Sequence, residues 1–428
     1  MKIGIDASRA NKEHKTGTEW YSYYLIRWLA KLDDKNEYIL YTDKPLTKGL
    51  LDLSSDQYYL NNKEEEHGFD KKGCQIIKSK HNNFKAKVLK SPCKYFWTQL
   101  RLSLEMLFNR VDVLFIPSHT LPIIHPKNSL VTLHDIGFEV NTSLYDSELI
   151  ISGGIGRLIN RVIKIFTFGK YGASAIDYLR WSTNYALRKA KKIISVSNFS
   201  KQEIVDIYNI DSSKISVVHN GYNKFLYKKN TDLDYEKEIL TQYGIEKPYF
   251  FYVGRIEKKK NIPRLIDCFA QIKTKDESIK EKLVLVGDAS FGYDETKYII
   301  TSFDMNNEVV MPGWVRECHL PIIYSGATAF VFPSNYEGFG IPLLQAMACE
   351  VPIIASKSSS IPEVVADAAI LVDPDDTDAI IDSLRNIATN EKLREELINK
   401  GKKRIQKFSW EITAINTLKV INSFAKKE

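Results

Sequence analysis

The sequence predicts an α/β protein with two doubly wound parallel sheets, one in each half of the chain. Short apolar runs alternate with longer amphipathic runs along the 428 residues, which is the order of elements in such sheets. The alternation fades once, in the polar stretch 223–247, and then resumes. The length suits two domains, because domains commonly hold about 100–200 residues. A composition of 44% hydrophobic and 26% charged residues excludes a mainly disordered chain and a coiled coil.

In the first half, the predicted strands are short apolar runs that end at polar residues. They are Ile3–Asp6, Tyr38–Thr42, Val111–Ile116, Leu130–Leu133 and Lys192–Val196. Apolar residues at helical spacing predict a helix over Trp20–Leu32 and another along the stripe Trp97, Leu100, Leu104, Leu107 and Phe108. Residues 61–90 are polar and Lys-rich, so we expect a solvated loop there.

The second half repeats the pattern. Its predicted strands are Tyr249–Val253, Leu283–Val286, Val309–Met311, Ala329–Phe332 and Val351–Ala355, and its predicted helices are Ile262–Gln271, Pro342–Ala348 and a short one from Glu363 to Val365. In parallel sheets, ligands bind at the carboxyl ends of the strands. We therefore expect the functional residues to follow these strands directly.

Several functional classes are disfavoured. Five separated cysteines without a CxxC pair are expected to be reduced thiols, with no zinc ribbon and no redox pair. A strand pattern at the N-terminus and the lack of a long apolar run predict a cytoplasmic protein. No GxGxxG follows a strand, and neither a P-loop nor a nucleophile elbow occurs, which disfavours dehydrogenases, P-loop enzymes and serine or cysteine hydrolases.

A basic run follows the first strand of the second half. Gly254–Asn261 contains Arg255 and the three lysines 258–260. Arginine binds oxyanions through two N–H groups and lysine acts as a point charge, so the run suits a diphosphate. Lysine runs are also common as solvated turns, but the position at a strand end favours an anion site.

A glycine-containing turn lies between a later strand and its helix. In Pro333–Pro342, Gly338 and Gly340 flank an aromatic residue, and a proline begins the helix, which aims free N–H groups at an anion. Glu337 stands at this turn as an acceptor for sugar hydroxyls, and Gln345 follows two helical turns later. The alternative is a structural turn with a capping glutamate.

Three weaker signals complete the set. The backbone of Gly313-Trp314-Val315 follows a strand and could bind a base edge, although Trp314 could equally be a core residue. His134 and His119 each follow a strand of the first half. His134 is the candidate for substrate contact, with an ordinary structural histidine as the alternative.

These residues together resemble a known family. The run Phe332–Ala348 is similar to the central motif of retaining glycosyltransferases of family 4, the group 1 glycosyl transferases, whose GT-B fold has two Rossmann-like domains. In the second half, Gly254–Asn261 resembles the diphosphate clamp of that family and Gly313–Val315 resembles its base-binding loop. In the first half, Gly4–Ala7 and Thr16–Glu19 resemble its first strand and donor loop, and Val196–Ser200 and Val218–Gly221 resemble landmarks late in its first domain. Phe408–Glu411 resembles the start of its closing helix.

The resemblance implies a fold and an activity. Residues 1–225 would form the acceptor-binding domain, with a helix over about 410–428 crossing back to it, and 226–409 would form the nucleotide-sugar-binding domain across a central cleft. The chain would be a hexosyltransferase that moves a sugar from a nucleotide-diphosphate sugar, with UDP or GDP as the expected nucleotide, to a glycan or lipid-linked acceptor in polysaccharide or glycolipid biosynthesis. Transfer would retain the anomeric configuration by front-face attack, with no metal and no other cofactor.

The resemblance also assigns roles. Arg255 and Lys260 would neutralise the departing diphosphate, Glu337 would hold donor sugar hydroxyls, and His134 would contact the sugar near the reacting carbon. The donor-binding residues would be Gly17, Gly254, Gly313, Trp314, Val315, Gly338, Phe339, Gly340, Ile341 and Gln345. The family usually has glutamate at position 345 for the ribose hydroxyls, so the glutamine predicts weaker or retuned nucleotide binding.

Charge points to a further partner. Residues 1–222 carry 32 Lys and Arg against 23 Asp and Glu, while 151–200 carry nine against one. Within 151–192, Ile155–Phe168 has an apolar and a basic helical face, which suits peripheral attachment to an anionic membrane at the inner face of the cytoplasmic membrane. The alternative is a helix packed on the sheet of its own domain. No nucleic-acid motif accompanies the charge, so no nucleic-acid partner is expected.

Two other functions fit the same residues. One is a GT-B nucleotide-sugar epimerase. The other is a non-catalytic or weakened sugar-nucleotide-binding subunit, with Gln345 as its first altered residue, against which the presence of Arg255, Lys260, Glu337 and His134 argues.

Overall fold

The computed structural model describes residues 1–55, 68–70, 73–90, 97–145, 157, 160, 161, 164 and 171–425. The strands are β1 Lys2–Asp6, β2 Glu37–Thr42, β3 Cys74–Ile76, β4 Phe84–Val88, β5 Val113–Ile116, β6 Ser129–Leu133, β7 Lys192–Ser195, β8 Ile215–Val217, β9 Tyr249–Val253, β10 Lys282–Val286, β11 Val309–Gly313, β12 Ala329–Phe332, β13 Ile353–Ser356 and β14 Ile370–Val372. The helices are α1 Gly17–Leu32, α2 Ser103–Phe108, α3 Gly137–Val140, α4 Ala175–Lys189, α5 Asn198–Tyr208, α6 Leu233–Gln242, α7 Ile262–Lys275, α8 Tyr293–Ser302, α9 Leu320–Gly326, α10 Ile341–Ala348, α11 Ile361–Val365, α12 Thr377–Thr389, α13 Glu391–Ile405 and α14 Trp410–Asn422.

The chain divides into two compact units. Unit 1 comprises Met1–Glu139, Ser147–Asn220 and Trp410–Glu428, and unit 2 comprises Val140–Asp146 and Gly221–Ser409. The sequence placed the change of domain at 225/226, inside a stretch without apolar periodicity. The structure forms α6 within that stretch, and α6 belongs to unit 2.

Unit 1 is built on an eight-stranded sheet in the order β3-β4-β2-β1-β5-β6-β7-β8. All of its neighbouring pairs are parallel except β3 with β4. The strand order reverses between β1 and β5, so the loops after these two strands diverge and leave a crevice at the carboxyl edge. The central strands β5 and β6 are buried along their whole length, as expected of parallel strands covered on both faces.

The last helix belongs to this unit and packs on the first. The Trp410 ring of α14 stacks on the Tyr24 ring of α1, with centroids 5.3 Å apart, and meets the Tyr21 ring at 6.1 Å. Thr413 donates a hydrogen bond of 2.8 Å to the carbonyl oxygen of His219. Aromatic pairs in these geometries stabilise beyond their buried area, so α14 is an integral part of unit 1.

Unit 2 is built on a fully parallel six-stranded sheet in the order β11-β10-β9-β12-β13-β14. Its order reverses between β9 and β12. The loop after β9 is the basic run, and the loop after β12 is the glycine-containing turn. The topology therefore brings two motifs that are about 80 residues apart in sequence to one crevice.

The prediction of a solvated loop over 61–90 is wrong for two segments. β3 and β4 lie within it, and β4 pairs in parallel with β2. In β4, Phe84 and Ala86 are buried while Lys85 and Lys87 are half-buried, an alternation that the lysine content concealed. Gln75 of β3 is buried because its amide both donates to and accepts from the backbone of Leu46. Residues 61–67, 71 and 72 lie outside the described residues.

The stripe from Trp97 to Phe108 is helical, but its environment differs from that of a core helix. It begins as a π-helix over Trp97–Leu102 and continues as α2. Trp97 is buried, whereas the other four members of the stripe are exposed. The buried side of α2 is formed instead by Ser103, Glu105 and Met106. In the described part of the chain, no helix is both long and apolar enough to cross a membrane.

Candidate functional site

Three glycines line the carboxyl edge of the unit 2 sheet. Gly254, Gly287 and Gly313 follow or end the adjacent strands β9, β10 and β11, and all have positive φ angles. Gly287 donates a 3.0 Å hydrogen bond to the carbonyl oxygen of Gly313, and Gly254 donates one to Val286. A Cβ at Gly287 would lie 1.9 Å from the carbonyl oxygen of Gly254. Only glycine allows these backbones to approach so closely.

The basic run forms a short 3₁₀ turn over Lys258–Lys260 at this edge. Nζ of Lys260 lies 2.5 Å from Oε1 of Glu337, and both side chains are largely buried, with 13% and 10% of their surfaces exposed. The guanidinium of Arg255 is more exposed and donates a 2.9 Å hydrogen bond to Oγ of Ser290. Asn335 donates from its backbone to the carbonyl oxygen of Lys259, which joins the two loops directly.

A serine run holds the glycine-containing turn from the other side. Residues 356–360 carry four serines whose hydroxyls bond to the backbone of residues 334–337. The contacts are Ser356 to the carbonyl of Ser334 at 2.5 Å, Ser358 to the carbonyl of Asn335 at 2.6 Å, the Glu337 N–H to Oγ of Ser359 at 2.8 Å, and Ser360 to the carbonyl of Glu337 at 2.9 Å. These serines are not among the residues predicted from the sequence, because hydroxyl bonds to a distant backbone leave no motif.

The turn ends at the start of α10. Gly340 has φ +97° and precedes Ile341 and Pro342, the first residues of the helix. Phe339 is buried against Phe408, with ring centroids 5.9 Å apart. It therefore contributes its backbone and not its ring to the carboxyl edge of the sheet. Together with Gly338, these residues present the N-terminal end of α10 at the crevice.

Gln345 lies on α10, and its side chain already has a hydrogen-bond partner. Its Oε1 accepts a hydrogen bond of 3.2 Å from the Tyr324 hydroxyl, which also lies 3.2 Å from the carbonyl oxygen of Pro342. With respect to the residues that the structure describes, one lone pair of Oε1 and the two N–H donors have no other partner and could bind a ligand. A carboxylate at this position would offer four acceptor sites and a negative charge instead.

Trp314 and Val315 differ in environment. The Trp314 ring is 45% exposed, so the interpretation as a core residue is wrong, whereas Val315 is buried. Because Gly313 has φ +75° and a Cβ there would meet nothing within 4 Å, the turn leaves room beside its backbone.

Unit 1 carries His134 at the carboxyl end of β6. Nε2 of His134 lies 3.2 Å from the carbonyl oxygen of Pro117, which follows β5. A carbonyl only accepts, so Nε2 carries the proton and Nδ1 carries the free lone pair. Burial lowers the pKa of His134 to about 4. The edge of the Tyr21 ring packs on the imidazole with centroids 4.8 Å apart. The ring is therefore a neutral hydrogen-bond acceptor of fixed orientation.

His119 stands beside this group. Burial, followed by the charges of Arg9 and His134, lowers the pKa of His119 to about 3. Its buried Nε2 has no hydrogen-bond partner within the described segments. Asp6, at the end of β1, accepts from the N–H and hydroxyl of Ser8, yet burial keeps its pKa above the ordinary value.

Gly17 is the first residue of α1. A Cβ at Gly17 would have nothing within 4 Å, so open space adjoins the helix end. Thr16 caps the helix through a capping box with Glu19. Burial alone would raise the pKa of Glu19, but the Thr16 hydrogen bond and the charges of Lys12 and Arg9 lower it to about 2.

The predicted site residues thus fall into two groups. Unit 2 brings together the loops that carry Arg255, Lys260 and Glu337, the helix α10 that carries Gln345, and the glycines of the edge. Unit 1 holds His134 and Gly17. Across the described residues, no three His, Cys, Asp or Glu side chains are clustered as metal ligands would be. Most of the predicted amphipathic helix Ile155–Phe168 lies outside the described residues.

Comparison with known proteins identifies the family of the chain. The sequence matches the family described as Glycosyltransferase Family 4 over residues 16–224 and the family described as Glycosyl transferases group 1 over residues 236–404. O-antigen chain mannosyltransferase B of Escherichia coli is 31% identical over 259 residues, which cover 60% of this chain and 67% of that protein. The capsular polysaccharide biosynthesis glycosyltransferase CapM of Staphylococcus aureus is 28% identical over 304 residues, 68% of this chain and 78% of that protein.

A solved structure shares the architecture. HepE of Anabaena, in complex with UDP-glucose, superposes with a TM-score of 0.68 over 99% of this chain and all of that chain, at 17% sequence identity. This likeness confirms the predicted fold class, and the two family matches confirm the predicted resemblance in both halves of the sequence. The chain belongs to glycosyltransferase family 4 and is a hexosyltransferase with the GT-B fold.

Proposed function

We propose that the protein transfers a hexose from a nucleoside diphosphate sugar to a glycan or lipid-linked acceptor in polysaccharide biosynthesis, with retention of configuration. The observation that carries the proposal is the Lys260–Glu337 pair at the point where the strand order of unit 2 reverses. Relatives named as mannosyltransferase and capsular glycosyltransferase support the acceptor class, and HepE, solved with UDP-glucose, supports the donor class.

Charge at this edge fits a departing diphosphate. Negative charge develops on the leaving group during transfer, and preorganised cations stabilise it there. Lys260 is held in place by Glu337, while the Arg255 guanidinium is tethered to Ser290. The N-terminal end of α10 adds backbone N–H groups. In this proposal no metal or other cofactor takes part, because these groups supply the positive charge.

In this proposal, Glu337 binds the donor sugar as well as Lys260. Its Oε1 accepts a hydrogen bond from Lys260, and its second carboxylate oxygen would accept from sugar hydroxyls. In unit 1, Nδ1 of His134 would accept from a hydroxyl near the reacting carbon, and the neutral ring would not repel the oxocarbenium-like charge that develops there.

The test measures nucleoside diphosphate release from a panel of UDP-, GDP-, ADP- and dTDP-sugars, with and without EDTA and a membrane lipid extract. We expect release from one donor, stimulated by the extract and unaffected by EDTA. Lys260→Met should abolish the release, and Lys282→Met, which removes an exposed ion pair with Glu246 elsewhere in unit 2, should preserve it. No release from any donor by folded protein would favour a nucleotide-sugar-binding subunit, and loss of release in EDTA would overturn the metal-free proposal.

Peripheral membrane attachment at the inner face of the cytoplasmic membrane also belongs to the proposal. Its support is the excess of nine basic residues over one acidic residue in 151–200. A lipid-linked acceptor would place the enzyme at such a surface.

A further inference from the structure

An apolar stripe lies on the surface of unit 1. Leu100, Leu104, Leu107 and Phe108 are 49%, 39%, 45% and 77% exposed, respectively. They recur at the spacing of one helical face along the π-helical turn and α2. Isolated exposed apolar residues are ordinary, but four on one short helical face form a contiguous patch of the kind that marks an interaction surface.

Other apolar and aromatic residues lie on elements that pack beside α2. Ser103, on the buried side of α2, accepts a hydrogen bond of 3.3 Å from the backbone of Ile124, and the adjacent Ile123 is 53% exposed. The Tyr185 hydroxyl of α4 donates to the carbonyl oxygen of Ile123 at 2.9 Å. The half-buried Trp181 ring stacks on Tyr185, with centroids 5.8 Å apart. The surface defined by the stripe, Ile123 and Trp181 is called the α2 face below.

The charges around the α2 face are mostly positive. Glu105, the acidic residue of α2, is turned inward and neutralised by Lys87 at 2.6 Å and Arg101 at 3.9 Å. In the described sequence within and next to these elements, exposed charged residues include the cations Arg110, Lys127, Arg188, Lys189 and Lys191 and the acid Asp112. Two copies of such a rim would repel each other, so the charge disfavours a homodimer through this face.

We infer that the α2 face docks onto an anionic lipid bilayer, with α2 lying along the interface. Aliphatic side chains enter the acyl boundary, Trp and Tyr sit at the headgroup level, and lysine and arginine attract anionic headgroups. All three chemistries occur together on the α2 face. The inference deepens the membrane part of the proposed function, because it assigns the contact to a described surface centred on α2.

The test is vesicle flotation of the purified full-length protein. Vesicles of phosphatidylethanolamine with phosphatidylglycerol supply the anionic surface, and phosphatidylcholine vesicles are the neutral comparison. We expect the wild type to float with the anionic vesicles and less so in high salt. Leu107→Ser/Phe108→Ser should lower the bound fraction about tenfold, since two apolar side chains leave the interface.

The matched control changes apolar residues of unit 2 that are equally accessible. Leu233→Ser/Tyr298→Ser alters two side chains that are each 73% exposed and should float like the wild type. Nucleoside diphosphate release from soluble donor, without lipid, should be unchanged in both double variants, which separates this inference from the transfer reaction.

Three results would overturn the inference. The first is that the wild type does not float with anionic vesicles. The second is that Leu107→Ser/Phe108→Ser floats as well as the wild type does. The third is that light scattering shows a wild-type dimer and a monomer for Leu107→Ser/Phe108→Ser, which would make a second copy the occupant of the face.

Discussion

Lys260 and Glu337 each provide the counter-charge that the other requires in a place where little water reaches either side chain. Breaking a largely buried ion pair leaves one charge uncompensated, which costs far more than the pair itself contributes. The pair is therefore both a support for the edge of the sheet and its main electrostatic feature.

Lys260→Met should lower the free energy of unfolding by about 3 kcal/mol, and Lys260→Met/Glu337→Gln should recover part of that loss. Urea unfolding monitored by fluorescence measures both. The control Lys282→Met removes a partner at a similar distance, 2.6 Å, from Glu246, whose side chain is 73% exposed, and should lower the free energy of unfolding far less, because solvent screens that pair. Equal losses for the two lysines would contradict the assigned role of burial.

Gln345→Glu should tighten nucleoside diphosphate binding about fivefold, because a charged acceptor forms a stronger hydrogen bond with ribose hydroxyls. Isothermal titration with the diphosphate that the donor panel identifies provides the measurement. The companion Tyr324→Phe removes the hydroxyl that engages Oε1 of Gln345. If Gln345→Glu leaves the affinity unchanged, residue 345 does not contact the ribose.

At the scale of elements, the loop after β12 depends on the loop after β13. The serine run supplies hydroxyls to the carbonyls and one N–H of residues 334–337, so the position of Glu337 is set by a segment about 20 residues further along the chain. Ser359 adopts φ +53°, the left-handed region, which brings its hydroxyl to the Glu337 N–H. The serines are positioning residues for the carboxylate.

Ser359→Ala should lower kcat more than tenfold and the free energy of unfolding by about 1 kcal/mol, since one backbone N–H loses its acceptor. Steady-state kinetics and urea unfolding test the two parts separately. Ser383→Ala is the control, because it also removes a serine hydroxyl that bonds to the backbone, here by donating to the carbonyl oxygen of Ala379 at 2.7 Å within α12. The control should lose stability alone. A purely structural role for Ser359 would leave kcat at the wild-type value.

Local sequence patterns predicted the elements of the sheet interiors well and those at its margins poorly. Strands β1, β5, β9 and β12 are apolar runs because both faces are buried. β4 lies near the sheet margin and alternates lysine with apolar residues, so its composition resembled a loop. For the helical stripe, spacing identifies a face but not its environment. The Lys260–Glu337 contact follows from strand-end topology, whereas the serine run does not, because any exposed serine has the same local pattern.

At the scale of the whole molecule, two half-buried histidines with lowered pKa values make stability depend on pH. The pKa values of His119 and His134 are lowered to about 3 and 4 by burial, while in the unfolded chain both take the ordinary value near 6.5. The unfolded state therefore binds more protons as the pH falls below 6.5. The stability from the neutral rings is complete above that pH and is lost progressively as the pH falls through about 4 for His134 and about 3 for His119.

The midpoint of urea unfolding should fall between pH 6.5 and 5, a range above the ordinary titration of carboxylates, with a loss of about 2–4 kcal/mol. His119→Asn/His134→Asn should flatten this slope, even if it lowers stability at pH 7. The same substitution at His81, which lies outside the cluster, is the control. An unchanged slope in the double variant would rule out the histidines as its source.

The packing of α14 on α1 has a consequence for the synthesis of the protein. Residues 1–220 leave the ribosome first, but the Trp410 ring that stacks on Tyr24 is made only after the whole of unit 2. Until then the apolar side of α1 lacks its cover, whereas every strand of unit 2 is already present. Unit 2, although synthesised later, can therefore complete its fold before unit 1 does. Until α14 is made, the exposed aromatic surface of α1 can bind chaperones.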